Sequence, residues 1–384
     1  MDGIPPELKL TIIRRLPPKE LENLAMTSSF WLSLCRMVIF RSLDLMGKKR
    51  LEEWLNDYEH LRNVFFKYVR KLSCQAYNDT LSHQEAIGVF LESHLSQFQR
   101  LFHLTLRNGE IPSNLLDTQY SFASTLKVLE LEGCNISFGG LVTLLNQFLH
   151  LDHLIFDRIK MKDVDEVHTT LRSRHPKKLR LVETGLGVLN KLLTLNLAYE
   201  ELSLEIYDGK YMASSLIEHS KGSLVRLGLG NTLAGMCHNN PTVCLKITDG
   251  NPRFSLDPTI SLKLSGFDAL RQVTMESKFL KGGLAAGLIS SITSQKLREI
   301  ILKGVDYFDE GWKGVENALC GLVGKLGNNI EVTLRVFSSS HLGDCTNFFQ
   351  NLPKNCRVVL MKEKSRGEAV VHDSYIGCHN CRLE

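Results

Sequence analysis

The chain has 384 residues, with 46 basic and 42 acidic side chains and a formal net charge of +4. This balance excludes a protein that binds nucleic acid or a membrane surface mainly through its overall charge. No apolar run approaches the ~20 residues that a membrane-spanning helix needs, and the first residues lack the basic and apolar stretches of a signal peptide. We therefore expect a cytoplasmic or nuclear protein that contacts neither nucleic acid nor membrane.

The amino-terminal segment predicts short amphipathic helices separated by prolines. Leu8, Ile12 and Leu16 recur at helical spacing, and a proline pair then separates them from a second apolar pattern over residues 21–38. Proline fits the start of a helix and disrupts its interior. A helical unit this small cannot bury enough apolar surface to be stable alone. We expect it to pack on the rest of the chain or on a partner.

Beyond this segment a leucine motif recurs. Leu-x-x-Leu-x-Leu is centred on Leu104, Leu129 and Leu154, so both intervals (129 − 104 and 154 − 129) are 25 residues. Further copies are centred on positions 72, 179, 202, 227, 273 and 300, with looser copies at 332 and 358. Each motif alternates as a strand does, whereas helical spacing occupies residues 87–98, 141–148, 164–171 and 312–326.

The alternation of strands and helices predicts an α/β fold. Neither element can bury its apolar side within one repeat, so we expect the repeats to stack with a parallel sheet and right-handed connections. Residues 42–66 fit an atypical first repeat that caps the core. Residues 234–267 are rich in Gly, Asn and Pro and predict an inserted loop. The polar tail at 362–384 lacks periodicity and is expected to be poorly ordered.

Both parts of the chain resemble known families. Ile4-Pro5-Pro6-Glu7-Leu8, the apolar spacing that follows and Trp31 resemble the F-box, and the repeats resemble leucine-rich repeats, whose units run about 20–29 residues. The combination is similar to fungal F-box proteins with leucine-rich repeats. The resemblance implies an F-box at 1–41, a cap at 42–66, a right-handed leucine-rich-repeat solenoid (a horseshoe with irregular repeats) at 67–361, and a tail at 362–384.

The resemblance also implies a function and a binding surface. F-box proteins of this type are substrate receptors of SCF ubiquitin ligases, in which the F-box binds a Skp-type adaptor and, through it, a cullin scaffold. Residues from Phe30 to Leu45 are expected to face inward, with Trp31 supporting the helices from behind. By the family pattern, the adaptor-binding residues are Ile4, Pro5, Leu8, Ile12, Leu16, Pro17 and Leu21. The alternative is that this face packs on the first repeats.

Strand alternation predicts which side chains line the exposed sheet face. If the motif leucines point into the core, their neighbours point outward. The middle of this face would then be acidic, which suggests a target with a basic segment. The alternative is a solvated face of mixed charge. The candidate substrate-binding residues are Arg107, Glu130, Glu132, Asp157, Glu201, Glu205 and Arg335.

Catalytic motifs are not evident in the sequence. It contains no phosphate-binding glycine loop of the usual spacing. Cys378 and Cys381 have the spacing of zinc ligands or a redox pair but lack a second paired motif. We expect no enzyme, cofactor or metal. Two alternatives to a ligase receptor stay open: an adaptor-bound scaffold without a ubiquitination role, and an enzyme that uses these two cysteines.

Overall fold

The structure is a computed structural model. It describes residues 5–46, 54, 66–75, 93–111, 120–162, 171, 176–205, 210–230, 263–276, 284–305, 311–327, 330–336, 352–353, 356–363 and 369–376. The chain forms two compact units, Met1–Pro176 (unit 1) and Lys177–Glu384 (unit 2). Each contains a mainly parallel sheet with helices between strands, so the predicted α/β class and parallel sheet are confirmed.

Unit 1 begins with three helices that form a helical head: α1 (Pro6–Ile13), α2 (Pro18–Ala25) and α3 (Ser29–Ile39). Proline occupies the first position of α1 and α2, where its fixed φ suits a helix start and its missing N–H costs no hydrogen bond. Helix α3 is capped by Ser28, whose Oγ accepts a hydrogen bond from the backbone N–H of Trp31 at 3.3 Å. The prolines and this cap set the predicted helix boundaries.

The sheet of unit 1 follows the head. In chain order its strands are β1 (Ser42–Met46), β2 (Lys71–Gln75), β3 (His103–Arg107), β4 (Val128–Glu132), β5 (Asn135–Ser137), β6 (His153–Asp157) and β7 (Lys160–Lys162), with α4 (Phe138–Gln147) between β5 and β6. Strands β1, β2, β3, β4 and β6 pair in parallel in that order, and β5 pairs separately with β7.

The repeated leucines of unit 1 occupy equivalent positions in neighbouring strands. Leu72, Leu104, Leu129 and Leu154 are paired in register, and each is at most 1% exposed. The 25-residue period therefore places one core leucine per strand. Helix α4 confirms the helix expected over residues 141–148. Most of the patterns at 87–98 and 164–171 lie outside the described residues.

Unit 2 repeats the arrangement. Its elements are β8 (Lys178–Val182), α5 (Leu186–Thr194), β9 (Glu201–Glu205), α6 (Lys210–His219), β10 (Arg226–Gly230), β11 (Gln272–Glu276), α7 (Leu284–Ser291), β12 (Glu299–Val305), α8 (Gly311–Leu326), β13 (Ile330–Val336), β14 (Cys356–Glu363) and β15 (Ala369–Ile376). Neighbouring strands from β8 to β14 pair in parallel. Helix α8 confirms the pattern over residues 312–326.

The carboxyl-terminal segment differs from the expectation of a poorly ordered tail at 362–384. Strand β14 continues to Glu363, and β15 pairs with it in the antiparallel direction. Residues 369–376 include valines, a tyrosine and an isoleucine, which favour strands, and the strand covers an otherwise open sheet edge. Of the loop predicted at 234–267, residues 263–267 are described, and there Leu264 and Phe267 are fully buried.

Similar side-chain hydrogen bonds link neighbouring repeats in the two units. Thr125 Oγ1 donates to the carbonyl of Leu101 at 2.9 Å, and Ser294 Oγ donates to that of Leu270 at 2.7 Å. In both cases donor and acceptor are 24 residues apart. These hydroxyls satisfy carbonyls that the strands and helices leave without an internal partner.

A left-handed residue follows each of three strands of unit 1. Asn108, Gly133 and Arg158 have φ of 53°, 60° and 51°. The N–H of Asn108 donates to the carbonyl of Glu132, and that of Gly133 donates to the carbonyl of Asp157, both at 2.7 Å. These turns redirect the chain at the end of each strand.

Candidate functional site

The outer face of α1 leaves large apolar side chains in solvent. Leu8 and Ile12 are 55% and 50% exposed, and their spacing of four residues places them side by side on one helix face. On the other side of the helix, Ile13 is fully buried. Helix α1 therefore has two apolar faces, and only one of them packs within the chain.

The inner faces of the three helices form a small core of their own. Ile13, Leu21 and Cys35 are buried at its centre. Partly buried side chains surround them: Leu16, Leu24, Ala25, Trp31, Leu34 and Val38. Burial raises the pKa of the Cys35 thiol. This core is far smaller than that of an independent domain.

The predicted adaptor-binding residues divide between surface and core. Four of them are exposed: Pro5, Leu8, Ile12 and Pro17. Leu16 is half-buried. Leu21 is 5% exposed and belongs to the core of the head. Ile4 lies outside the described residues. The exposed residues of the predicted adaptor-binding set therefore lie at α1 and at the junction between α1 and α2.

Lys9 is a feature of the head that sequence reasoning missed. It is only 8% exposed, and its Nζ lies 4.7 Å from the centre of the Phe30 ring and 5.8 Å from that of Trp31. The two rings also contact each other edge to face, with centres 5.4 Å apart. A cation over aromatic faces is attracted to them electrostatically. Lys9 therefore joins α1 to α3, although a lysine in the sequence suggests a solvated position.

The expectation that Phe30 to Leu45 face inward holds only in part. Leu45 is 2% exposed, but Phe30, Met37 and Ile39 are 46%, 39% and 38% exposed. Helix α3 is apolar around most of its circumference, and the two short helices beside it cover only one side. Met26, in the turn before α3, is 87% exposed.

The exposed sheet face of unit 1 centres on Glu130. Thr105 Oγ1 donates a hydrogen bond to Glu130 Oε2 at 2.9 Å. His103 Nε2 lies 3.3 Å from the same oxygen and 3.2 Å from Thr105 Oγ1. The hydroxyl has one proton to donate, so the network is complete when His103 Nε2 also carries a proton. The hydrogen bond from His103, aided by that from Thr105, lowers the pKa of Glu130 to about 2, although burial opposes the change.

Two more carboxylates on this face are paired with arginines. Glu132 Oε2 lies 2.6 Å from Arg107 Nε, and its Oε1 lies 2.6 Å from Arg158 Nη2. Arg158 Nε also donates to Asp157 Oδ1 at 3.0 Å. Glu132 thus lies between Arg107 of β3 and Arg158, which directly follows β6.

The carboxylates of unit 2 are paired in the same way. Glu201 Oε1 lies 3.3 Å from Lys178 Nζ and accepts a hydrogen bond from Arg226 Nη1. Glu205 Oε1 accepts one from Arg180 Nη2 at 3.0 Å. The side chain of Arg335 lies outside the described residues.

These pairs correct the expectation of an acidic face. The predicted acids are on the exposed side of the strands, in agreement with the burial alternation of β4, β6 and β9. The basic residues that compensate them come from the neighbouring strand or from the turn just after it. Arg226 is on the strand beside that of Glu201, and Arg158 follows the strand beside that of Glu132. The faces therefore have mixed charge, and they give no reason to favour a basic target.

Metal and cofactor sites are not indicated in the part of the chain that the structure describes. It contains no group of three or more His, Cys, Asp or Glu side chains that could hold a metal ion. Cys378 and Cys381 lie outside that part. No helix among the described residues is long and apolar enough to cross a bilayer.

A comparison with known protein families identifies the head. Residues 1–43 match the family described as F-box domain. This region ends within β1 and includes all three helices of the head. The chain thus carries an F-box domain. No curated protein matches the chain. F-box domains bind Skp-type adaptors within SCF complexes, and F-box proteins are in general non-catalytic.

Proposed function

We propose that the chain is the non-catalytic substrate-recognition subunit of an SCF-type ubiquitin ligase. In this proposal the head binds a Skp-type adaptor, which links it to a cullin scaffold, and the repeats bind a target protein. The observation that carries the proposal is the exposed pair Leu8 and Ile12, within the segment that matches the F-box domain.

The size of the exposed pair suits a binding surface. Fully burying a leucine or isoleucine stabilises an association by about 1.5–3 kcal/mol. Because each side chain is already half-buried in the free chain, a partner gains about 1 kcal/mol from each. Pro5 and Pro17, both exposed, extend the surface at the two ends of α1. Neighbouring contacts must supply the rest of the affinity.

We also propose that the strands belong to leucine-rich repeats stacked as a right-handed solenoid. The support lies within each unit, in the parallel strands, the core leucines in register and the hydroxyl–carbonyl bonds that recur at 24 residues. The target would then bind on the exposed sheet faces, near residues that include Arg107, Glu130, Glu132, Asp157, Glu201 and Glu205.

The adaptor interface is tested with a double variant, Leu8→Asp with Ile12→Asp. Placing two carboxylates in an apolar interface removes the apolar contacts and leaves unpaired charges. We expect the dissociation constant for a purified Skp-type adaptor to rise at least about a hundredfold. Isothermal calorimetry or biolayer interferometry measures it.

The matched control is Leu149→Asp, a leucine of unit 1 outside the head that is 47% exposed. It introduces one aspartate at a similar exposure, against two in the double variant, and should leave adaptor binding unchanged. Circular dichroism checks that all variants fold. Unchanged adaptor binding by a folded double variant would refute the proposed interface. If the adaptor binds but captured proteins are never ubiquitinated by the assembled ligase, the chain is an adaptor-bound scaffold instead.

A further inference from the structure

A row of basic side chains lies along one edge of the sheet of unit 1, where the strands begin. Four residues, three of them basic, each directly precede a strand: Arg41, Arg70, Phe102 and Lys127. The backbone links them in sequence: the carbonyl of Arg41 accepts from Arg70 N–H at 2.8 Å, that of Arg70 from Phe102 N–H at 2.7 Å, and that of Phe102 from Lys127 N–H at 2.9 Å. They therefore follow one another at the strand spacing of about 4.8 Å.

A third arginine joins the row from the adjoining turn. Arg70 Nη1 donates to the backbone carbonyl of Arg100 at 3.1 Å, which fixes its guanidinium beside that residue. Arg41 and Arg100 are exposed, and Arg70 is half-buried. We call Arg41, Arg70, Arg100, Phe102 and Lys127 the basic rim.

The arginines of the basic rim have no acidic partner among the described residues. No ion pair within 4.0 Å involves Arg41, Arg70 or Arg100 there, in contrast to the paired arginines on the sheet face. Their mutual repulsion is evident at Arg70, whose pKa is lowered first by desolvation and then by Arg100 and Arg41. Three adjacent cations with no ion pair to any described residue are an unfavourable arrangement that an anion would relieve.

An apolar side chain and a pocket accompany these charges. Phe102 lies between Arg70 and Lys127 in the row and is 49% exposed. An open pocket of about 540 Å³ is lined by residues that precede the members of the basic rim in three repeats: Phe66, Lys67, Ser96, Gln97, Gln99 and Ser121. The region thus offers cations, one exposed ring and a polar recess.

We propose that the basic rim is a docking surface for an acidic segment of a target protein. Guanidinium groups bind carboxylates and phosphates through paired hydrogen bonds, so the shared chemistry is an oxyanion. Phe102 would contact an apolar side chain within that segment. The balanced charge of the whole chain favours a protein segment over nucleic acid, which needs an extended basic surface. The identity of the partner as a target rests on the proposed function; the site does not.

The test measures binding of fluorescein-labelled peptides to the full chain by fluorescence polarisation. One peptide is rich in glutamate around a central phenylalanine, a second carries phosphoserines in place of some glutamates, and a third has lysines instead. A single-stranded RNA of equal length is the fourth probe. We expect both anionic peptides to bind, with affinity that falls as salt rises, and the lysine peptide not to bind. Tighter binding of the phosphoserine peptide would assign the site to phosphorylated targets. Equal affinities for the two anionic peptides would assign it to acidic targets.

The decisive variant is Arg41→Glu with Arg100→Glu. Both positions are exposed, and reversing their charge also reduces the repulsion at Arg70. We expect affinity for the glutamate peptide to fall at least about tenfold without loss of thermal stability. The matched control is Arg271→Glu with Arg298→Glu, because these exposed arginines directly precede two strands of unit 2 and have a similar backbone link (2.9 Å). It should leave the affinity unchanged.

Three results would overturn the proposal: no binding of either anionic peptide, equal losses in variant and control, or tighter binding of the RNA than of both peptides. Adaptor affinity is measured in parallel on the same chain. Failure of the peptides with normal adaptor binding counts against the basic rim alone, whereas failure of the adaptor with normal peptide binding counts against the proposed function alone.

Discussion

Replacing Glu130 with glutamine should reduce stability at neutral pH and have no effect in strong acid. The hydrogen bonds from His103 and Thr105 lower the pKa of Glu130 from 4.5 to about 2. Such a shift corresponds to about 3 kcal/mol of stabilisation when the carboxylate is ionised. Because 23% of the side chain is exposed, solvent screening reduces this, and we expect a loss of about 2 kcal/mol for Glu130→Gln at pH 7.

The sign of the pH dependence follows from the lowered pKa. The stabilisation is fully present above the unfolded-state pKa, near 4.5, and is lost as the pH falls through about 2. The difference in unfolding free energy between the wild type and Glu130→Gln should therefore be constant from pH 7 to about 5 and shrink towards zero near pH 2.

Urea unfolding of the full chain at a series of pH values measures this difference. The control is Glu22→Gln, an exposed carboxylate of α2 that has no ion pair among the described residues, and its effect should stay within about 0.5 kcal/mol. Equal stability of Glu130→Gln and the wild type at pH 7, or a difference independent of pH, would show that the hydrogen bonds do not stabilise the ionised form.

Two further predictions concern the turn after β4, one a substitution and the other a test of thiol accessibility. Gly133 has a φ of 60°, and an added Cβ would lie 2.4 Å from Asn108 Oδ1. We therefore expect Gly133→Ala to reduce the free energy of unfolding by about 1–3 kcal/mol and so to lower the melting temperature. The control, Gly187→Ala, should not lower it, because an added Cβ there has no neighbour within 4 Å. The buried thiol of Cys134 donates to the carbonyl of Leu106 at 3.3 Å, and burial raises its pKa to about 11. Iodoacetamide should therefore label Cys134 only after unfolding, as peptide mass spectrometry can verify; rapid labelling of the folded chain would contradict its burial.

The regular parts of the fold were predictable because a single physical constraint repeats. Strands such as β4 and β6 bury alternate side chains, and the period of 25 residues returns the same leucine to the same place in the next strand. Leu104, Leu129 and Leu154 follow from this constraint alone. Strand β15 does not, because its residues have no repeat to match and form a strand only by pairing with the edge of β14.

The surfaces were less predictable, because they depend on pairs of residues that the period does not relate. Strand parity places Glu132 on the outer face, but its ion-pair partner Arg158 lies in the left-handed turn after β6, where the strand pattern does not predict a partner. The basic rim is similar. Arg41 and Arg70 are far apart in sequence and become neighbours only because β1 pairs with β2.

Helix α1 shows what helical periodicity can and cannot decide. Leu8, Ile12 and Ile13 all fit one apolar pattern, yet the first two are half exposed and the third is fully buried. If the head needed only to pack within the chain, one apolar face would be enough, and a polar residue at position 8 or 12 would be free of cost. Adjacent exposed aliphatic side chains on a short helix make the surface less soluble. Lys9 strengthens the argument, because burying it against Phe30 joins α1 to α3 without help from the outer face. The outer face is therefore not needed to hold the head together, and we infer that it serves the adaptor.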